Sequence, residues 1–256
     1  MGGALFESMT RSNDHENNLP RRAAVFGSSG AIGGAIVDVL VESGCELVHA
    51  GSRRGDGLVG AQVRPFAFDL ESEDSIAQAA SAMQDDPPEW VIVATGVLTL
   101  DNGQGPERSF KKIDAASMNK VFALNTFGPA LIAKHVLPIM PRDRRTVFAA
   151  LSARVGSIGD NRLGGWHSYR ASKAALNMLL RNFAIELART NPNAIVAGLH
   201  PGTVDSALSR PFQANLAEGQ LTGPGKAARD LVRVLGTLTP EHSGQVFDYA
   251  GQRIPE

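Results

Sequence analysis

A short apolar run ending in VFGSSGAIG (Val25 to Gly33) and opening directly into a segment of helical period narrows what this 256-residue chain can fold into. Gly27, Gly30 and Gly33 recur in it at intervals of three. Without Cβ atoms the backbone can turn tightly and approach a pyrophosphate, while the helix that follows aims its free N–H groups and the positive end of its dipole at phosphate. Such a turn is a dinucleotide cradle when it opens a β/α alternation and an ordinary glycine turn when it stands alone.

The alternation is present. Short apolar runs lie at AAVFG (Ala23 to Gly27), ELVHAG (Glu46 to Gly51), VRPFAF (Val63 to Phe68), WVIVAT (Trp90 to Thr95), RTVFAAL (Arg145 to Leu151), AIVAGLH (Ala194 to His200) and QVFDY (Gln245 to Tyr249). Amphipathic stretches such as AIVDVLVESG, SIAQAASAM and SYRASKAALNMLLRNFAIELART separate them. Brief, continuously apolar strands between helices are what a parallel sheet buried on both faces requires. The pattern predicts an α/β fold: a single-domain, Rossmann-type, doubly wound parallel sheet of about seven strands with helices on both faces. Gly44 closes the first helix, Ser72 with Ser75 opens another, and Pro141 and Pro192 stop two long ones. The domain spans 22–256. Residues 1–21, rich in Asn, Ser and acids, read as a disordered extension without the apolar core of a signal peptide.

Charge does not announce a partner. With 25 basic and 26 acidic residues the net charge is −1, so no global field favours nucleic acid or an anionic membrane. No stretch reaches the roughly 20 apolar residues of a membrane span. Cys45, the one cysteine, reads as a buried structural thiol and fits a reducing, cytoplasmic compartment. His167 and His200 lack companions at metal-ligand spacing, so no metal is expected.

Two further clusters carry chemistry. After the second strand stand Gly51, Ser52, Arg53 and Arg54, with Asp56 the nearest acid; two guanidinium groups suit a ribose 2′-phosphate better than a hydroxyl, which points to NADP over NAD. Tyr169 and Lys173 lie one helical turn apart in WHSYRASKAALNML. A phenol of pKa about 10 is a poor base at neutral pH, and a neighbouring ammonium is expected to lower it. In this order on one chain, a glycine turn and a Tyr/Lys pair suggest hydride transfer beside a nicotinamide.

With these blocks, and with ALNTFGPALIAKHVLPIM, SARVGSI, LHPGTVDSALSRPF and FDYAGQRIP, the sequence from about Arg22 onward resembles the short-chain dehydrogenase/reductase family, in its C-factor or carbonyl-reductase-like branch. The resemblance implies that Gly27 to Gly33, including Ser29, Gly30 and Ile32, hold the cofactor, with Ala31 where many members carry the middle glycine. It likewise implies an adenine contact at Asp69 and Leu70, a shortened loop motif ending at Thr95 and Gly96, and a nicotinamide-flanking segment at Pro201, Gly202, Thr203 and Val204. Catalytic roles fall to Tyr169 and Lys173, with Asn125 in a proton relay. The family's serine stands three residues before a glycine; here that position is Ala153, before Gly156. Ser152 is the first substitute, if the strand has already ended in a turn or bulge, and Ser157 the second.

The leading expectation is therefore an NADP-dependent enzyme interconverting the carbonyl and alcohol of a small-molecule substrate chosen by a lid over Ser206 to Gly225. A cofactor-binding signalling or regulatory protein with vestigial turnover is the alternative, and an isomerase or dehydratase a third. Trp166 reads as a packing residue near the site entrance. Helices over Thr126 to Met140 and Ser168 to Thr190 carry apolar residues around more than one stripe, and the resemblance implies a homodimer or homotetramer built on them.

Overall fold

The computed structural model describes residues 18–58 and 60–256. Seven strands, β1 (Arg22–Phe26), β2 (Leu47–Ser52), β3 (Val63–Ala67), β4 (Trp90–Val93), β5 (Thr146–Leu151), β6 (Ala194–His200) and β9 (Gln245–Asp248), form one sheet. Their order is β3-β2-β1-β4-β5-β6-β9, and every pairing is parallel. Two-residue strands β7 (Thr203–Val204) and β8 (Leu221–Thr222) pair separately, β8 inside the segment expected to be a lid and β7 just before it.

Because alternate residues of a strand face opposite ways, each central strand feeds two cores. Ala23, Val25, Trp90, Ile92, Val147, Ala149, Ile195 and Ala197 pack on one face; Ala24, Phe26, Val91, Val93, Phe148, Ala150 and Val196 pack on the other. The first core is roofed by α1 (Ala31–Glu42) and α6 (Pro224–Thr237), through residues such as Ile36, Leu40, Leu231 and Leu235. Helices α2 (Glu73–Ser81), α4 (Gly128–Val136) and α5 (His167–Leu187) cover the second with Ile76, Ile132, Leu176 and Leu180. A short helix α3 (Ala115–Phe122) runs into α4 through one π turn, Ala123–Phe127. The doubly wound architecture read from the sequence is the one observed.

Element ends follow local chemistry. Ser72 caps α2 by accepting from the Ser75 N–H at 3.3 Å. Gly44, at φ +88°, takes the left-handed conformation just after α1. Cys45 is buried, and burial pushes its thiol up to about 11. Of the extension expected over 1–21, residues 1–17 lie outside the described residues. Leu19 packs against the first core and Arg21 pairs with Glu46 at 2.8 Å, which joins these residues to the domain. No helix among the described residues is long and apolar enough to cross a membrane.

Arg145, half-buried before β5, has no carboxylate partner among the described residues. Its guanidinium donates instead to the carbonyl oxygens of Leu235 (2.5 Å) and Leu238 (3.0 Å) at the end of α6, and to that of Asn18 (3.0 Å), while lying 5.5 Å from the Trp90 ring centroid. A cation at the carbonyl end of a helix satisfies groups that have no partner inside it. Hydrogen bonds to a charged group contribute about 1.5–3 kcal/mol, so Arg145→Ala is expected to lower unfolding free energy by about 2–4 kcal/mol in urea titrations. A change within the error of the titration would show that this clasp contributes nothing.

Candidate active site

Strand order reverses between β1 and β4: after β1 the chain builds outward through β2 and β3, then returns to β4 on the other side of β1. At such a reversal the loops leaving the carboxyl ends diverge and open a crevice. The glycine turn leaves β1 here, and Thr95 and Gly96 leave β4.

The turn is built to approach something closely. Gly27 sits at φ +98°, with its N–H and that of Ser28 both donating to the Gly51 carbonyl at 2.9 and 2.8 Å. A Cβ on Gly33 would lie 2.1 Å from the Gly27 oxygen, so only glycine lets α1 seat against the turn. Gly30 is the N-cap of α1; no side chain caps this helix and no acid lies in its first turn, so its leading N–H groups are free for an anion. Ser29 is exposed beside them, and Ile32 is half-buried against the first core. Thr95 adds a buried hydroxyl that has no partner among the described residues, its methyl 3.0 Å from where a Gly27 Cβ would stand. These features fit a dinucleotide pyrophosphate.

Around the turn, Arg53 and Arg54 are both exposed beyond β2, and Arg54 Nε meets Asp56 Oδ1 at 3.1 Å. Such an exposed pair is weak and leaves both guanidinium groups available. Asp69 is exposed after β3, accepting from the Glu71 N–H at 3.0 Å, and Leu70 packs against the second core. Pro201 and Gly202 leave β6, with Gly202 at φ +77° over the Tyr249 ring, and Thr203 and Val204 form β7.

Asn125 is fully buried in the π turn. Its Oδ1 accepts from the Val97 N–H at 2.8 Å, while Nδ2 donates to the Val97 carbonyl at 2.9 Å and the Ser172 hydroxyl at 3.2 Å. These bonds to both main-chain groups of Val97, with the one to Ser172, tie the loop after β4 to α5. Gly96 lies between the functional groups: a Cβ there would stand 3.2 Å from Asn125 Oδ1 and 3.4 Å from Lys173 Nζ.

Tyr169 and Lys173 share one buried face of α5. Lys173 Nζ donates to the Leu151 carbonyl at 2.7 Å and lies 5.9 Å from the Tyr169 ring centroid. The expected acidification of the phenol is not what the cavity imposes. Burial dominates both groups, pushing the Tyr169 hydroxyl up to about 12 and the Lys173 ammonium down to about 8, because each charged form loses its water.

The serine expectation is corrected as well. β5 continues extended past Leu151: the Ser152 N–H donates to the Leu199 carbonyl, and Ala153 keeps φ −151°, ψ 145°. With neither turn nor bulge, neighbouring side chains face opposite ways. Ser152 donates to Asn177 Oδ1 at 2.6 Å, and it is Ala153 that packs with Leu98 and Tyr169. Ser157 Oγ, buried, accepts from the Asp160 N–H at 3.0 Å. Trp166 and Phe212 complete the wall, with ring centroids 5.2 Å apart and Trp166 6.2 Å from Tyr169. Phe212, Leu98 and Ser172 carried no signal that distinguished them from packing residues. Among the described residues no group of three or more His, Cys, Asp or Glu side chains is placed to hold a metal.

Residues 21–217 match the sequence model of the family described as short chain dehydrogenase. The chain is 30% identical over 225 residues to the 1-hydroxy-2-glutathionyl-2-methyl-3-butene dehydrogenase of Rhodococcus sp. (strain AD45), covering 86% of this chain and 93% of that one. It is 35% identical over 144 residues to the C-signal of Myxococcus xanthus, covering 56% and 81%. Its fold superposes on an NADPH-bound carbonyl reductase from chicken fatty liver with a TM-score of 0.80 over 94% of this chain and 98% of the other, at 20% identity.

Tyr169 and Tyr249 are the two tyrosines of the chain. In Tyr249→Phe the ultraviolet phenolate band therefore reports Tyr169 alone. It should stay absent as pH passes through about 10, where an unperturbed phenol is half ionised. A midpoint at or below that value would refute the dominance of burial.

Proposed function

This chain belongs to the short-chain dehydrogenase family, and we propose that it is an NADP-dependent oxidoreductase that reduces the carbonyl of a small organic substrate to an alcohol, with Tyr169 as proton donor. The observation that carries the reading is the placement of Tyr169 and Lys173, by one turn of α5, beside Gly96 at the strand reversal that also holds the glycine turn. The chemistry a nicotinamide cofactor supplies when bound is hydride transfer to or from carbon. Gly27, Ser29, Gly30, Ile32, Gly33 and Thr95 would hold its pyrophosphate side. Asp69 and Leu70 would meet the adenine, Gly96 and Lys173 the nicotinamide ribose, and Pro201, Gly202, Thr203 and Val204 the carboxamide.

The chain's own residues account for the proton. A phenol that burial keeps protonated at neutral pH is an acid, which suits carbonyl reduction. As its proton passes to the substrate oxygen, the phenolate left behind is stabilised by the Lys173 ammonium. Asn125 keeps the Val97 loop and α5 in fixed relation while this happens. Ala153 presents a methyl group where a hydroxyl would give the oxygen a second donor, so Tyr169 donates alone. Leu98, Ala153, Trp166 and Phe212 make the wall apolar and aromatic, which favours an apolar group on the carbonyl. Exposed Phe127, Met178 and Ile185, on the π turn and α5, are the surface through which we place a homodimer or homotetramer.

Ala153 also favours a second reading, a protein that binds NADP and signals with little turnover. One experiment separates the two: carbonyl-dependent NADPH oxidation over a panel of aromatic and aliphatic carbonyls. Tyr169→Phe should abolish it without loss of NADPH binding, and Ala153→Ser, restoring a second donor, should raise kcat/KM by about tenfold. Tight NADPH binding with no oxidation by any of the three proteins would decide for signalling.

For the cofactor, Arg53→Asp replaces a phosphate partner by a hydroxyl partner. Loss of a charge-assisted hydrogen bond of about 1.5–3 kcal/mol should cut the preference for NADPH over NADH by at least about tenfold in a binding titration. An unchanged ratio would defeat the assignment of NADP.

A further inference from the structure

The helix that carries Tyr169 and Lys173 begins without a cap of its own. Trp166 occupies the N-cap position, offers no side-chain oxygen, and is held at φ +52° behind two left-handed glycines, Gly164 and Gly165. Among the described residues it is the one non-glycine with positive φ, a conformation in which Cβ crowds the following carbonyl. Left alone, such a start leaves its first N–H groups without partners and its first turn free to open.

Glu107 makes up the deficit from the far side of the crevice. Its main-chain carbonyl accepts the Trp166 N–H at 2.5 Å, its Oε2 accepts the Ser168 N–H at 3.1 Å, and its Oε1 accepts the Ser168 hydroxyl. The residue is 7% exposed and forms no ion pair among the described residues. A buried carboxylate without a cation is costly unless other donors satisfy it; here the positive end of α5 and the Ser168 donors do so. Burial pushes the carboxyl up, yet the bonds from Ser168, together with that from its own main chain and the nearby His167, outweigh it and hold the group below its ordinary range. Ser168 immediately precedes Tyr169, and Trp166 lies between Tyr169 and Phe212, edge-on to the first ring and tilted to the second. Glu107 and Tyr169 also line one cavity, with Leu98, Gln104 and Val121.

We propose that Glu107 is a positioning residue: through Ser168 and Trp166 it fixes the first turn of α5, so that the Tyr169 hydroxyl and the Trp166 indole are set together against the reacting carbonyl. The inference rests on the reductase reading for its kinetic consequence and on geometry alone for the rest. Glu107→Gln keeps the cap, since the amide oxygen accepts the Ser168 N–H and the amide N–H donates to the Ser168 oxygen, but removes the charge. Glu107→Ala removes the charge and the side-chain bonds to Ser168, leaving only the main-chain bond to Trp166.

The test compares these variants in kcat and KM for a carbonyl at saturating NADPH, in NADPH affinity, and in acrylamide quenching of tryptophan fluorescence. Trp90, the other tryptophan, is 1% exposed, so quenching reports Trp166. Glu107→Ala should bind NADPH normally, lose about tenfold or more in kcat through misplacement of the donor, and quench more readily. Glu107→Gln should recover both kcat and quenching to near those of the unaltered protein. Unchanged kcat per folded molecule in Glu107→Ala, or a Gln variant no better than the Ala variant, would overturn the proposal. Should Glu107→Ala fail to fold, Ser168→Ala should show the same changes in smaller degree, and their absence would be equally decisive. If the unaltered protein reduces no carbonyl, the reductase reading fails, while quenching still decides whether Glu107 holds the turn.

Discussion

Burying both faces of a parallel sheet is the constraint from which the rest of this molecule follows. Each central strand sends alternate side chains into one core or the other, so neither face is left for a ligand. Function is confined to the strand ends, where loops leave, and the reversal of strand order between β1 and β4 picks out one place along that edge. Gly27 and Gly96 stand on its two sides, and α5 crosses it with Tyr169 and Lys173.

Removal from water governs that place as much as charge pairing does. A lysine and a tyrosine an ordinary helical turn apart on an exposed helix keep nearly their normal protonation. Buried together under Ala153, Leu98 and Trp166, both are driven toward their neutral forms, the phenol upward and the ammonium downward. The phenol thus keeps its proton rather than standing as a pre-formed phenolate base, while the ammonium gives its proton up more readily.

Much of this was legible in the chain. The central strands were readable because each is a short apolar run, and burial on both faces leaves no other pattern, while β3 at the sheet edge is largely exposed. The glycine turn and the Tyr/Lys pair were readable because both are local in sequence. What escaped reading depends on contacts between distant segments. No local signal marks Glu107 as the cap of a helix that starts sixty positions later, or Arg145 as the clasp on the end of α6. The π turn that carries Asn125 has no signature in ALNTF. Ser152 was a case of incomplete information: strand alternation stated the condition, and only the extended backbone at Ala153 resolved it.

The left-handed run through Gly164, Gly165 and Trp166 has a consequence for heat. A helix cannot grow backward through residues of that hand, so Tyr169 is confined to the first turn, which is held closed by the bonds from Glu107 on a distant loop rather than by further helix. The sheet beneath it, with its doubly covered strands, melts last. Inactivation on warming should therefore precede loss of the fold, with a window in which the protein keeps its circular dichroism and has already lost its chemistry.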